Sequence, residues 1–155
     1  MRIVIPGRGS YDIHHLLLDM NGTIGLDGAL IDGVAERLAL LPQTIRPVIA
    51  TADTHGGASV VGERLGVETI ALKPGNEAEA KLAILSRLGA ERTVVVGNGA
   101  NDVLALRECA VGICVLGQEG ASTAAALAAD ILVHDIRDAL DLLLHPRRLV
   151  ATLRS

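Results

Sequence analysis

Apolar positions along this chain follow two alternating rhythms. Continuous apolar runs read as buried strands: MRIVI at residues 1–5 and DIHHLLLD at 12–19, joined by a turn over residues 6–10, then RPVIAT at 46–51, VETIAL at 67–72, RTVVVGN at 92–98, AVGICVL at 110–116 and DILVH at 130–134. IGLDGALI, residues 24–31, reads as a short hairpin around Asp27 and Gly28. Between the strands the spacing becomes helical. One helix is capped by Asp32 and closed by Pro42; a second spans residues 55–65 and stops at Gly66. A third is capped by Asn76 and closed by Gly89, and others follow at residues 101–109, 122–129 and 136–145. Fully apolar strands alternating with amphipathic helices predict an α/β fold. Its mainly parallel, Rossmann-like sheet carries helices on both faces and right-handed crossovers. In such a sheet the loops at the carboxyl ends of the strands build the active site.

The 155 residues suit a single domain, residues 1–155. Half of them are hydrophobic, yet there is one Tyr and no Phe or Trp, so the core is Leu, Val, Ile and Ala. The stacking platforms that hold single-stranded nucleic acid are missing, and a net charge of −4 gives no general attraction to polyanions. No nucleic-acid partner is expected. Cys109 and Cys114 match no zinc spacing and read as buried reduced thiols. The amino terminus lacks the apolar core of a signal peptide and no run is long enough to span a bilayer, so the expected location is the cytoplasm. Arg outnumbers Lys twelve to two, which singles out Lys73 and Lys81.

Residues 14–23, HHLLLDMNGT, carry the strongest chemical signal. An apolar run ends on Asp19 and a tight turn follows. A carboxylate there can act as a covalent nucleophile or ligate a hard cation. Gly22 and Thr23 suit a loop whose backbone N–H groups and hydroxyl face an anion. A strand ending in a plain Asx turn fits the same residues. Other strand ends add to the set: Thr51, with Asp53 and His55 beyond it, and GNGAND, residues 97–102. Lys81 sits in the helix entering that last strand. A carboxylate, a hydroxyl, an ammonium and an amide–carboxylate pair can hold a phosphoryl group against a divalent cation.

DMNGT, the run ending at Thr51, Lys81 and GNGAND resemble, in order, the four motifs of the haloacid dehalogenase (HAD) superfamily. The chain looks most like the phosphorylation domain of P-type ATPases as a free-standing, capless protein, over about residues 12–143. The resemblance implies that Asp19 forms an aspartyl-phosphate, that Thr51 binds a phosphoryl oxygen and that Lys81 neutralises both. It implies a phosphate-binding set of Asn21, Gly22, Thr23, Thr51, Ala52 and Lys81. It also implies a Mg²⁺ set of Asp19, the Asn21 carbonyl, Asn98 and Asp102. Lys73 competes for the lysine role, with Lys81 favoured by its spacing to GNGAND.

Two positions depart from the family pattern. Asn21 stands where the phosphatases carry an acid/base Asp, and it exchanges no proton at neutral pH. General acid–base catalysis contributes about 10²–10⁴-fold, so hydrolysis is expected to be slow. Asn98 stands where GDGxND has a metal-binding Asp, so Mg²⁺ is expected to bind weakly. Asp53 reads as a helix cap rather than a replacement acid, and His14 and His15 as sheet residues rather than catalysts.

The gaps between motifs are too short for a cap domain. The expected activity is therefore a Mg²⁺-dependent phosphohydrolase acting on a small phosphorylated substrate, with no membrane partner. A homo-oligomer is the expected means of closing the site, with the hairpin at residues 24–30 either at that interface or a plain connecting loop. The alternatives are a metal-independent hydrolytic dehalogenase and a non-catalytic module that senses phosphate or Mg²⁺.

Overall fold

A computed structural model of the chain describes residues 1–52 and 57–155. The strands are β1 (Arg2–Ile5), β2 (Gly9–Asp12), β3 (His15–Leu18), β4 (Gly25–Leu26), β5 (Ala29–Leu30), β6 (Arg46–Thr51), β7 (Glu68–Ala71), β8 (Thr93–Gly97), β9 (Val111–Val115) and β10 (Ile131–Val133). The helices are α1 (Val34–Leu40), α2 (Gly57–Leu65), α3 (Glu77–Leu88), α4 (Val103–Glu108), α5 (Thr123–Ala128), α6 (Ile136–Leu144) and α7 (Pro146–Leu153).

Six strands form one parallel sheet in the order β10-β9-β8-β3-β6-β7. Leu18 pairs with Ile49 on one side and Val96 on the other. Successive side chains of a strand point to opposite faces, and here both faces are covered. Leu16, Leu18, Val94, Val96 and Ile113 join one apolar cluster with residues of α1, α6 and α7. Leu17, Val95 and Cys114 join another with residues of α3, α4 and α5. This is why β3, β8 and β9 read as unbroken apolar runs. Burying each such Leu, Ile or Val contributes about 1.5–3 kcal/mol. No helix among the described residues is long and apolar enough to cross a membrane.

The strand order decides where chemistry can occur. From β3 the chain steps outward through β6 to β7, then returns to β8 on the other side of β3 and continues to β10. The connections therefore diverge between β3 and β8, opening a crevice at their carboxyl ends. Asp19 follows β3 there, and Asn98 follows β8.

Several elements differ from the sequence-based expectation. DIHHLLLD is not one strand. Residues 9–12 fold back antiparallel on β1, forming a separate two-stranded sheet, and Ile13 donates its N–H to Met1 O at 2.8 Å. The central sheet begins only at His14, whose N–H and carbonyl pair with Arg92 and Arg46. Asp32 does not cap α1: Gly33 holds that position, without a side-chain bond. Asn76 does stand at the N-cap of α3, again without a side-chain bond. A 3-10 turn (Ala100–Asp102) precedes α4, and α7 extends beyond the last expected helix. The hairpin is where Asp27 and Gly28 place it. Both residues have positive φ, 51° and 80°, as a two-residue turn matching strand twist requires.

Candidate active site

Lys81 lies on α3 with its side chain buried to 2 % exposure. Its Nζ donates to Asp19 Oδ1 at 2.5 Å and to Asp102 Oδ1 at 2.5 Å. Asp19 and Asp102 are themselves buried, at 8 % and 1 % exposure. Lys73, the rival lysine, is exposed after β7. A single ammonium therefore sits between two carboxylates. Burial, then repulsion from Asp102, raises the Asp19 carboxyl to about 6 against the pull of Lys81. Burial disfavours the Lys81 ammonium, but the two carboxylates outweigh it and its pKa is raised.

Asp102 is fixed from both sides. While Oδ1 meets Lys81, Oδ2 accepts the N–H groups of Asn98 at 3.0 Å and Gly99 at 2.9 Å. In this geometry Asp102, which the resemblance places in the Mg²⁺ set, holds the ammonium and the turn after β8. Thr51 ends β6 and is buried; Ala52, half-buried, follows it. Asp53 and His55 lie outside the described residues.

The loop after β3 is closed on itself. Gly22 N–H donates to Gly25 O at 2.8 Å and Thr23 N–H to Met20 O at 3.2 Å. The expected cradle of anion-facing amides at Gly22 and Thr23 is thus absent, because the tight turn after β3 engages both groups internally. The buried Thr23 hydroxyl donates to Asn98 Oδ1 at 3.1 Å and stands 3.5 Å from Asp19 Oδ2. This link joins the turn after β3 to the turn after β8. Gly22, at φ 74°, has no room for a side chain: a methyl group there would lie 2.3 Å from Asn98 Nδ2 and 2.8 Å from Glu119 Oε2.

A further strand end enters the site that the motifs did not single out. The loop after β9 is tied to Asn98 twice, through Ser122 N–H to Asn98 O at 2.8 Å and Asn98 Nδ2 to Gly120 O at 3.1 Å. That tether brings Glu119 over Gly22. The available signal was positional, since β9 neighbours β8 and its run ends in a loop carrying a carboxylate.

The oxygen donors suit a hard divalent cation. Asp19 Oδ2 meets the Thr23 hydroxyl at 3.5 Å, and Asn98 Oδ1 is held beside it. The Asn21 carbonyl accepts no backbone bond among the described residues. No three His, Cys, Asp or Glu side chains cluster around a metal position among the described residues, so this donor set leans on an amide and a carbonyl.

His14 and His15 stand at the amino end of β3, remote from this chemistry, with His14 Nε2 at 3.1 Å from Asp12. Both cysteines are free thiols. Burial pushes Cys109 up to about 12 and raises Cys114.

The chain has recognisable relatives. It is 50% identical over 87 residues to the uncharacterised protein MJ0073 of Methanocaldococcus jannaschii, covering 54% of this chain and 94% of that one. It is 29% identical over 123 residues to a soluble P-type ATPase-like phosphatase of the same organism. That match covers 77% of this chain but only 45% of the relative. Among solved structures, the fold is shared with 3-deoxy-D-manno-octulosonate 8-phosphate phosphatase from Moraxella catarrhalis, in complex with magnesium, phosphate and KDO. The TM-score is 0.70 at 19% identity over 92% of this chain and 94% of that one. The cobalt-bound form of the corresponding Haemophilus influenzae phosphatase gives 0.68 at 16% identity, over 93% and 94%. A family model for haloacid dehalogenase-like hydrolases matches residues 6–109, more than half of the chain, and the chain therefore belongs to that family.

Proposed function

We propose that this protein is a phosphatase that passes the phosphoryl group of a small phosphorylated substrate through Asp19 to water. The observation that carries the reading is the seating of Asp19. It lies in the crevice between β3 and β8, buried, with Lys81 on one oxygen and the Thr23 hydroxyl 3.5 Å from the other. Similarity to a soluble P-type ATPase-like phosphatase supports it.

In the first step an Asp19 oxygen attacks phosphorus and the bond to the substrate oxygen breaks. Asn21 cannot donate a proton, so the departing oxygen takes one from solvent. In the second step water attacks phosphorus, the aspartyl oxygen–phosphorus bond breaks and phosphate leaves. Lys81 and Thr51 offset negative charge on the phosphoryl oxygens. Mg²⁺, held by Asp19, the Asn21 carbonyl and Asn98, would supply further charge neutralisation when bound. Asp102 positions Lys81. Both steps lack a dedicated acid/base, so the phospho-enzyme is long-lived.

Incubation with acetyl phosphate or p-nitrophenyl phosphate and Mg²⁺, followed by peptide mass spectrometry, tests the reading. One phosphoryl group on Asp19 is expected. An Asp19→Asn protein that turns over substrate like the wild type would overturn it.

We also propose that a second copy of the chain closes the site. The hairpin of β4 and β5 follows directly on the nucleophile loop. It borders a recess of about 500 Å³ shared with the start of α1 and with Val60, Val61 and Arg64 of α2. Light scattering on wild type and on a chain with the hairpin shortened measures this; a monomeric wild type rules it out.

A further inference from the structure

We infer that Glu119 supplies, to the divalent cation of this site, the negative charge that Asn98 does not carry. The inference rests on the proposed phosphatase reading for the cation's location between the turns after β3 and β8.

Asn98 is neutral and nearly buried, and its two ends face different ways. Oδ1 accepts from Thr23 on the Asp19 side, and Nδ2 donates to Gly120 O on the side of the loop after β9. On that second side stands Glu119. Its Oε2 lies 2.8 Å from the point where a Gly22 methyl would be, and Asn98 Nδ2 lies 2.3 Å from the same point. The Glu119 carboxylate and the Asn98 amide nitrogen thus converge on the same small space in front of Gly22.

The placement is built into the backbone. Two hydrogen bonds bind the Glu119 loop to Asn98, and Leu116 and Gly117 N–H groups bind its start to Val133 and His134. A methyl on Gly117 would stand 3.1 Å from Gly22 O, so the two loops touch directly. Gly22 admits the carboxylate because it has no side chain.

Glu119 is also uncommitted. It is exposed and makes no ion pair among the described residues, whereas Asp102 is fully engaged by Lys81 and two amides. A carboxylate at residue 98 would stand against Glu119 and be repelled by it. The neutral Asn98 and the anionic Glu119 form a matched pair, with the charge displaced from the strand end to the neighbouring loop.

Mn²⁺ binding to the full-length resting protein, followed by electron paramagnetic resonance and calorimetry, tests this without reference to turnover. Replacing one unit charge near a dication in a hydrated site changes affinity about tenfold. Glu119→Gln should weaken Mn²⁺ binding by about that factor. Asn98→Asp should tighten it, and the double variant Asn98→Asp/Glu119→Gln should return to within about threefold of wild type. Glu119→Gln binding Mn²⁺ like wild type, a double variant no tighter than Glu119→Gln, or a wild type that takes up no divalent cation at millimolar concentration each overturns the inference. A protein that binds Mn²⁺ through Glu119 yet never becomes phosphorylated on Asp19 would instead sink the phosphatase reading alone.

Discussion

Lys81 reaches Asp102 as closely as it reaches Asp19, 2.5 Å in each case. Two buried carboxylates share one buried ammonium, so the ionised triad carries an excess negative charge in a site of low polarity. That excess falls on Asp19, because Asp102 also accepts two backbone N–H groups and Asp19 is the less supported of the two. The Asp19 carboxyl is accordingly raised to about 6 by burial and by Asp102. Carbon-13 NMR of labelled aspartate in the cation-free protein should show one carboxyl titrating near pH 6, well above the ordinary 3.8. A Glu119→Gln protein should keep that resonance, and Asp19→Asn should remove it. All aspartates titrating below pH 4.5 would exclude this electrostatic account.

The same imbalance makes Asp19 costly to the fold. The folded pKa of Asp19 lies above its unfolded value, so the folded chain holds the proton more tightly between about pH 4 and pH 6. Stability contributed by this group is complete below that window and is lost as pH rises through it. Above pH 6 the ionised Asp19 costs up to about 3 kcal/mol, the attraction to Lys81 already included. Asp19→Asn should abolish activity while raising Tm at pH 7.5, at about 2–4 °C for each kcal/mol recovered. The gain should shrink toward zero as pH falls to 4. A variant less stable than wild type at pH 7.5 would show that Lys81 overcompensates both carboxylates.

Removing the ammonium acts in the opposite direction. Lys81→Met keeps an unbranched apolar stem, one heavy atom shorter, but leaves Asp19 and Asp102 buried without their cation. Breaking a buried ion pair on one side typically costs about 3–5 kcal/mol. Urea unfolding at pH 7.5 should register a loss of that order, and Asp19→Asn in the Lys81→Met background should restore part of it. Equal losses in the single and double variants would mean that Lys81 stabilises through packing alone.

Much of this arrangement was legible in the residues. Asp19, Thr51 and GNGAND each end an apolar run, and an apolar run buried on both faces is a parallel strand whose carboxyl end faces the crevice. Lys81 and not Lys73 enters the site because α3 packs beside the turn after β8, and that packing was readable as spacing. What could not be read was direction. The N–H groups of Gly22 and Thr23 turn inward on Gly25 and Met20, an outcome set by the loop's closure rather than by its residue types. The break between β2 and β3 is invisible in DIHHLLLD, since residues 9–12 are captured by β1 in an antiparallel hairpin. Helix α7 buries Leu149 and Leu153 among arginines, a stripe too sparse to stand out beside the apolar α6. Glu119 escaped notice because nothing in the QEG triplet reveals that Gly120 and Ser122 tie its loop to Asn98.

Asn21 is exposed at the mouth of the loop, two residues beyond Asp19, and adjoins Gly22, over which Glu119 stands. An Asp there would add a proton carrier that neither Lys81 nor Thr51 provides, because Lys81 is locked between two carboxylates with a raised pKa and a hydroxyl does not titrate near neutrality. Positioned acid–base groups typically accelerate proton-coupled steps by about 10²–10⁴-fold. Asn21→Asp should therefore shorten the lifetime of the aspartyl-phosphate on Asp19 by at least about tenfold, with hydroxylamine trapping after a pulse of acetyl phosphate as the readout. In the proposed mechanism hydrolysis of the intermediate is the slow step, so steady-state phosphate release should rise in parallel. Asn21→Ser, equally small and neutral, should leave the lifetime near the wild-type value. A phospho-enzyme that persists unchanged in Asn21→Asp would place the slow step elsewhere, in departure of the substrate oxygen or of phosphate itself.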